Sequence, residues 1–331
     1  MPKYLNNEMS QLALIYESGT YGSVSGAGVW LGMVQDHSVS EDEGVMPMRY
    51  VGGVTRGVEQ FDNGPKTYTG NFSYYPQDWR MLKFVLGQCA DAGSPSPFTH
   101  AYTLSEQSAT AKEFASQVLP SFTLEDAHTY TGAGSNFIRT INGCVVNTYS
   151  INITAGEPVS CSVDYTAKSN VFSSGAKTSI TDPALSPFFW QQFAVQITSG
   201  TSVSEVNSCS ITVNNNLNPK RYLTSGQTIA NIIPAAVDYE IALDINETAD
   251  TMKTYVEQYW QGGSAFNLLV VGTLSAGSRA ISMTFSGCRI TAFNSPTTAE
   301  GENRATMTVR PKTLVVVEDS LDQFYNAGSY A

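Results

Sequence analysis

Over most of the chain, apolar and polar positions alternate with a period of two, the pattern of half-buried β-strands. Tyr68–Tyr75, Ser150–Thr154, Pro158–Ala167, Ser204–Val213, Tyr239–Asn246 and Phe266–Thr273 are the clearest runs. Asn136–Thr148, Phe189–Thr198, Arg279–Ala292 and Arg304–Val317 read the same way, Phe122–Leu124 and Val29–Leu31 are shorter strands, and His37–Val45 is an acidic, solvated strand edge. Met9–Tyr16 fits a strand or a short helix. Two stretches switch to a helical period. In Pro76–Leu86, Trp79, Leu82, Val85 and Leu86 fall on one face, and in Glu247–Trp260, Met252, Tyr255, Val256 and Tyr259 do so. Pro76 suits a first helical position, where its missing N–H would be unpaired anyway. Asp78 favours the positive helix start, and Gly87 can stop the helix in a left-handed conformation. Each helix is expected to lay its apolar stripe on an open sheet face.

The order of these elements occurs twice. Phe61, Tyr68, Met81 and Val85 recur as Ile232, Tyr239, Met252 and Val256 at an offset of 171, and Arg49 recurs as Arg221 at 172. Asn142-Gly143-Cys144 recurs as Ser286-Gly287-Cys288 at 144. A unit this long is a duplicated domain, since solenoid repeats run about 20–50 residues. The drop in offset places one deletion in the second copy, between its helix and its Gly-Cys strand. The expected organisation is a first domain over 1–170, a linker over 171–187, a second domain over 188–318 and a flexible tail over 319–331. Gly44–Gly64 is too long for a tight turn and too apolar for a linker. It reads as a hairpin arm that leaves the domain and packs on a neighbour, and Leu217–Asp238 is its counterpart.

Composition narrows the function. Charged residues are only 14% of the chain, with 18 Lys+Arg against 29 Asp+Glu, so free nucleic acid is repelled rather than bound. The five cysteines are widely spaced with no C-x-x-C, which fits neither a disulfide framework nor a zinc site and suggests a reducing compartment. No signal peptide or membrane-spanning run is read. The three histidines lack helical metal-pair spacing, and no nucleophile elbow, phosphate loop or zinc-protease motif occurs. Gly26-x-Gly28-x-x-x-Gly32 has the wrong spacing for a dinucleotide site. No catalytic, cofactor-binding or metal-binding residue is therefore assigned. Glu125-Asp126-Ala127-His128 is the densest titratable cluster and the best seat for a hydrolase. An 11% aromatic content also fits a carbohydrate-binding or adhesion module.

Glu17-Ser-Gly-Thr-Tyr-Gly22, Trp30, Arg49-Tyr50, Asp62-x-Gly64-Pro65, Tyr68-x-Gly70-x-x-Ser73, the helix to Leu86-Gly87, Thr99-His100 and Gly143-Cys144-x-x-Asn147-x-x-Ser150 with Gly156-Glu157 occur in this order. Together they resemble tail tube proteins, the major tail proteins of long non-contractile-tailed phages and related archaeal viruses. The resemblance implies a mainly β fold: two tandem β-sandwich or barrel domains, each with one flanking helix and a long arm. It implies a virion tail subunit, assembled in the host cytoplasm, whose rings stack into the conduit for the genome. Three chains with two domains each would make a pseudo-sixfold ring. The implied partners are other copies, a tape measure protein, tail-end proteins and, in passage, double-stranded DNA. The arms would meet the adjacent ring through Met48, Arg49, Tyr50, Arg56 and Phe61, and through Lys220, Arg221, Tyr222 and Ile232. Arg49 and Arg221 are expected to bridge rings through carboxylates or backbone carbonyls.

Overall fold

The computed structural model describes residues 10–17, 21–49, 57–58, 60–92, 98–104, 119–128, 136–197, 201–203, 205–223, 226–246, 255–274, 279–296 and 303–320. The chain is mainly β. In chain order its strands are β1 (Ser10–Glu17), β2 (Val24–Trp30), β3 (Met33–Asp42), β4 (Val45–Met48), β5 (Gln60–Asn63), β6 (Thr67–Tyr75), β7 (Gly87–Ala92), β8 (Phe98–Leu104), β9 (Phe122–His128), β10 (Phe137–Thr154) and β11 (Ser160–Ala167). They continue with β12 (Ser169–Ser173), β13 (Phe193–Ile197), β14 (Thr201–Val203), β15 (Val206–Asn214), β16 (Asn218–Lys220), β17 (Asn231–Ile233), β18 (Asp238–Asn246), β19 (Phe266–Leu274), β20 (Arg279–Asn294), β21 (Arg304–Arg310) and β22 (Thr313–Ser320). Among the described residues, one α-helix, α1 (Met81–Leu86), a 3-10 turn at Trp190–Gln192 and a π-helical turn at Tyr255–Gln261 accompany them.

Three open antiparallel sheets carry the fold. The first has the order β2-β1-β9-β10-β12. The central sheet is β3-β6-β11-β10-β15-β18-β21-β20. The third is β14-β13-β19-β20-β22-β8-β7. Among the described residues no run of pairings returns to its starting strand, so no barrel closes. The long strands β10 and β20 each begin in an outer sheet and end in the central one. Each bends at a bulge next to a glycine with positive φ, Gly143 (67°) and Gly287 (64°). An added Cβ would lie 2.8 Å from Lys168 at the first and 2.9 Å from Lys312 at the second, so both conformation and space favour glycine. Asn142 O accepts the N–H of Lys168 at 3.0 Å, and Ser286 O that of Lys312 at 2.9 Å.

Period-two alternation sends Phe72, Tyr74, Tyr149, Val163 and Tyr165 of the central sheet inward against Leu14, Phe122, Leu124 and Ile141 of the first, in one continuous core. Cys209, Ile211, Ile241, Leu243 and Met307 likewise join Leu268, Val270, Met283 and Phe285. Four of the five cysteines are buried, and all five are free thiols.

The helices depart from the sequence pattern. The segment Pro76–Arg80 is not helical; Arg80 is the N-cap, and α1 has six residues. The Asp78 carboxylate is held by the Arg80 guanidinium and backbone N–H, and Trp79 donates its N–H to Glu318 Oε1 at 3.1 Å, so this backbone is engaged elsewhere. All six residues of α1 are buried, where a one-sided stripe was expected. Phe84 lies 5.9 Å, ring to ring, from Tyr16 and 4.9 Å from Phe122. Gly87 caps the helix with φ 94° and an N–H bond to Lys83 O. In the second copy the described helical part is the π-helical turn; Met252 lies outside the described residues, as do the side chains of Tyr255 and Val256. Tyr259 packs 4.7 Å from Phe266, ring to ring.

The sequence pattern missed the hairpin β7–β8. It leaves the first copy and pairs β8 with β22, Phe98↔Ser320 through Thr103↔Val315. The two strands expected over 136–148 and 150–154 are one, β10, running Phe137–Thr154. At the other end, Asp319 and Ser320 belong to β22, not to a tail.

Candidate functional site: the central sheet, its open edges and its arms

The central sheet consists of two quartets of the same order, β3-β6-β11-β10 and β15-β18-β21-β20. Their irregularities recur too. The β3–β6 register shifts between Val34 and Asp36, and β15–β18 between Val206 and Ser208. The β10–β11 shift at Val146/Thr148 recurs in β20–β21 at Ile290/Ala292. The quartets join through β10 and β15, from Thr148↔Asn214 to Thr154↔Ser208. The same two kinds of strand therefore meet inside the molecule and end it on either side: β3 is one free edge of the sheet and the second half of β20 the other.

The face of this sheet turned away from the core is made of small polar groups. One row runs across seven strands as Asp36, Ser73, Ser162, Ser150, Thr212, Glu240 and Arg310. Its neighbour runs Ser38, Asn71, Asp164, Thr148, Asn214 and Asp238. These side chains bond to one another: Ser73 Oγ donates to Asp36 at 2.6 Å, Ser38 Oγ to Asn71 Oδ1 at 2.8 Å, and Ser210 Oγ to Asn152 Oδ1 at 2.7 Å. Asp36, Asp42, Asp164, Asp238, Glu240 and Asp244 outnumber the basic Arg289, Arg304 and Arg310. Arg310 faces Glu240 at 3.3 Å and Arg304 faces Asp244 at 3.9 Å.

The junction between the quartets is clamped by several contacts. Buried Asn215 donates its Nδ2 to Val85 O and Val146 O, both at 3.1 Å, and its N–H to Asn147 O at 2.8 Å. Arg279, on β20, donates to Gln77 O at 2.7 Å and to Ser186 O at 3.0 Å, and lies over the Phe188 ring. Glu318 accepts from Tyr102 Oη at 2.6 Å, and burial pushes its carboxyl up to about 8. None of Asn215, Gln77, Arg279 and Glu318 stood out in the sequence, because their side-chain partners are 47–239 residues away. Glu17, which opens the Glu17–Gly22 run, accepts from Gly22 N close by and from Ser121 Oγ, Thr123 Oγ1 and Gly143 N, 104–126 residues away.

The two arms sit differently. The second arm, with β16 paired to β17, folds back on the first copy. Ile232 is 1% exposed, in a small cluster with Ile229, Leu119 and Val145. Arg221 donates to Lys66 O at 2.8 Å and to Thr67 Oγ1 at 2.9 Å, and Lys66 N–H donates to Gln227 O at 2.9 Å. Lys220 is half-buried in β16, and Tyr222 is exposed. The first arm, with β4 paired to β5, is exposed along both strands, Met48 and Arg49 included, and Phe61 is 66% exposed. Tyr50 and Arg56 lie outside the described residues. Trp79, Leu82, Val85 and Leu86 are all buried, with Trp79 against Phe188 and Phe193 at the junction.

Glu125 and Asp126 are not brought together, because neighbours in a strand face opposite ways. Glu125 is buried and accepts the N–H and Oγ1 of Thr178, both at 2.6 Å, pinning the linker. Asp126 lies 3.4 Å from His37 and 3.2 Å from His128; burial works to raise its carboxyl, but the histidines outweigh it and hold it low. Among the described residues, Cys89, Asp91 and His100 group their ligand atoms closely on β7–β8. His100 is fully buried between Asp91 (2.9 Å) and Ser320 (3.0 Å) and pins the hairpin to β22.

Two free sheet edges, one exposed arm and a continuous polar face are surfaces through which the chain can join others. Comparison with known families makes this specific: residues 9–322 match the phage tail tube protein family, and the chain belongs to it. It is a structural subunit of a viral tail tube. Among solved structures, it is similar to the SPP1 tail tube, with a TM-score of 0.32 and 11% identity over 42% of this chain and 83% of that one. It is also similar to a chain of the anti-feeding prophage baseplate, with a TM-score of 0.31 and 12% identity over 41% and 96%. No curated protein matches.

Proposed function

We propose that three chains form one ring of the tail tube, each contributing two tube domains, and that stacked rings make the conduit through which the genome passes. One observation carries this reading: β10 and β15 join two quartets of equal strand order inside the chain, and β20 and β3 are their counterparts at its ends. Repeating the internal register pairs β20 of one chain with β3 of the next, placing Ala292 opposite Asp42, Phe293 opposite Glu41 and Asn294 opposite Ser40. Closing the ring removes both free edges, which otherwise invite uncontrolled pairing. The polar face then lines the lumen. DNA slides over it without sticking, because acids exceed arginines and each unpaired basic contact to phosphate would add binding. The chain performs no catalysis in this role. Its further partners are a tape measure protein inside the tube and tail-end proteins, in a virion tail assembled in the host cytoplasm.

Cryo-electron microscopy of tubes assembled from the purified protein tests the reading. Three chains around a pseudo-sixfold lumen are expected. Six chains per ring would overturn it, since the second quartet would then not line the channel.

A further inference from the structure

We propose that the first arm clamps the neighbouring chain within the same ring, rather than reaching the next ring along the tube. The inference rests on ring closure as proposed above and deepens it by naming the arm's seat. The second arm supplies the pattern, because it is the same element already docked on the copy beside it. Its Arg221 holds the start of β6 through Lys66 O and Thr67 Oγ1, and its Ile232 is buried against that copy.

Carrying these contacts across by the structural equivalences gives a definite seat. Arg49 takes the place of Arg221. Lys66 and Thr67 become Val237 and Asp238 of the neighbour, since Thr67 opens β6 opposite Asp42 and Asp238 opens β18 opposite Asn214. Arg49 therefore donates to the Val237 carbonyl and to the Asp238 carboxylate, an ion pair where the internal junction has a neutral hydroxyl as acceptor. Phe61 takes the place of Ile232. Val145, which shares a cluster with Ile232, becomes Arg289 of the neighbour, which is exposed on this chain. The exposed Phe61 ring then lies on a guanidinium, a favourable cation–π contact. Exposure agrees with the seat being empty in a single chain: Phe61 is 66% exposed, whereas Ile232 is 1%. The edge pairing and the arm docking both fall on one neighbour, which holds the ends of β20 and β18.

The test uses the full chain and separates ring formation from ring stacking, with native mass spectrometry for the first and negative-stain imaging for the second. Arg49→Asp is expected to weaken ring formation at least about tenfold by setting two carboxylates face to face, and Arg49→Asp with Asp238→Arg to restore it. Phe61→Ala is expected to weaken ring formation with the monomer fold, read by circular dichroism, unchanged. Rings that form normally from Arg49→Asp and Phe61→Ala chains but fail to stack would overturn the inference and place the arm between rings. Normal rings and normal stacking in both would overturn it as well. A parent chain that forms no ring at all would remove the ring reading itself, a distinguishable failure.

Discussion

Glu43 sets the chain-to-chain junction apart from the internal one. By the equivalence of β3 and β15, it stands where Asn215 stands inside the chain. Asn215 donates two side-chain hydrogen bonds to buried carbonyls of the adjoining copy, whereas a carboxylate can only accept. In the single chain Glu43 instead pairs with Lys66 and is half exposed. Glu43→Asn should therefore supply the chain-to-chain junction with two donors aimed at Val256 O and Ile290 O of the neighbour, the counterparts of Val85 O and Val146 O. At about 1 kcal/mol net per bond the gain is about 2 kcal/mol, or about thirtyfold in the affinity of each contact. The lost ion pair with Lys66 offsets little, because solvent screens it. The assay is the protein concentration at which rings appear in sedimentation velocity, with Asn215→Asp as the internal counterpart. That change leaves two buried carbonyls unpaired and should cost about 3 kcal/mol in urea unfolding. If Glu43→Asn chains need the same or a higher concentration to form rings, the equivalence of the two junctions is wrong.

Three further outcomes follow from the same geometry. Glu318 has its carboxyl raised from 4.5 to about 8 by burial, with Asp78 adding to the rise, so the folded chain binds its proton more tightly than the unfolded one. Stability from this group is full below about 4.5 and falls as pH rises to about 8; urea midpoints at pH 5 and 8 should differ less in Glu318→Gln than in the parent. Replacing Asp164 and Asp244 by Lys adds positive charge to the polar face and frees Arg304, so tubes should retain DNA in co-sedimentation at low salt and release it as salt rises, while parent tubes retain none. Glu17→Ala leaves the Gly22 and Gly143 N–H groups without their acceptor and should lower stability by about 3 kcal/mol in urea unfolding.

The sequence by itself determined the mainly β character. Period-two alternation is written residue by residue, as in Tyr68–Tyr75 and Tyr239–Asn246. A duplicated bulge leaves its glycine in both copies, as at Gly143 and Gly287. The helix starts later than the sequence pattern predicts because Pro76 and Asp78 carry local helix signals, while the Asp78 carboxylate is taken up by Arg80 and Glu318 accepts the Trp79 N–H from far along the chain. The hairpin β7–β8 was missed because Gly87–Leu104 has weak alternation of its own and becomes sheet by adding to β22, more than 200 residues away. Only the tertiary structure decided which strands meet at the junction, which edges stay open and which arm is already seated. Strand order and register depend on pairings between distant segments, and one stretch of chain does not encode its partner. The small polar residues of the central sheet illustrate the difference. Ser162 and Thr212 are unremarkable in sequence, and with Ser73 and Ser150 they become one continuous face only when four separate strands are laid side by side.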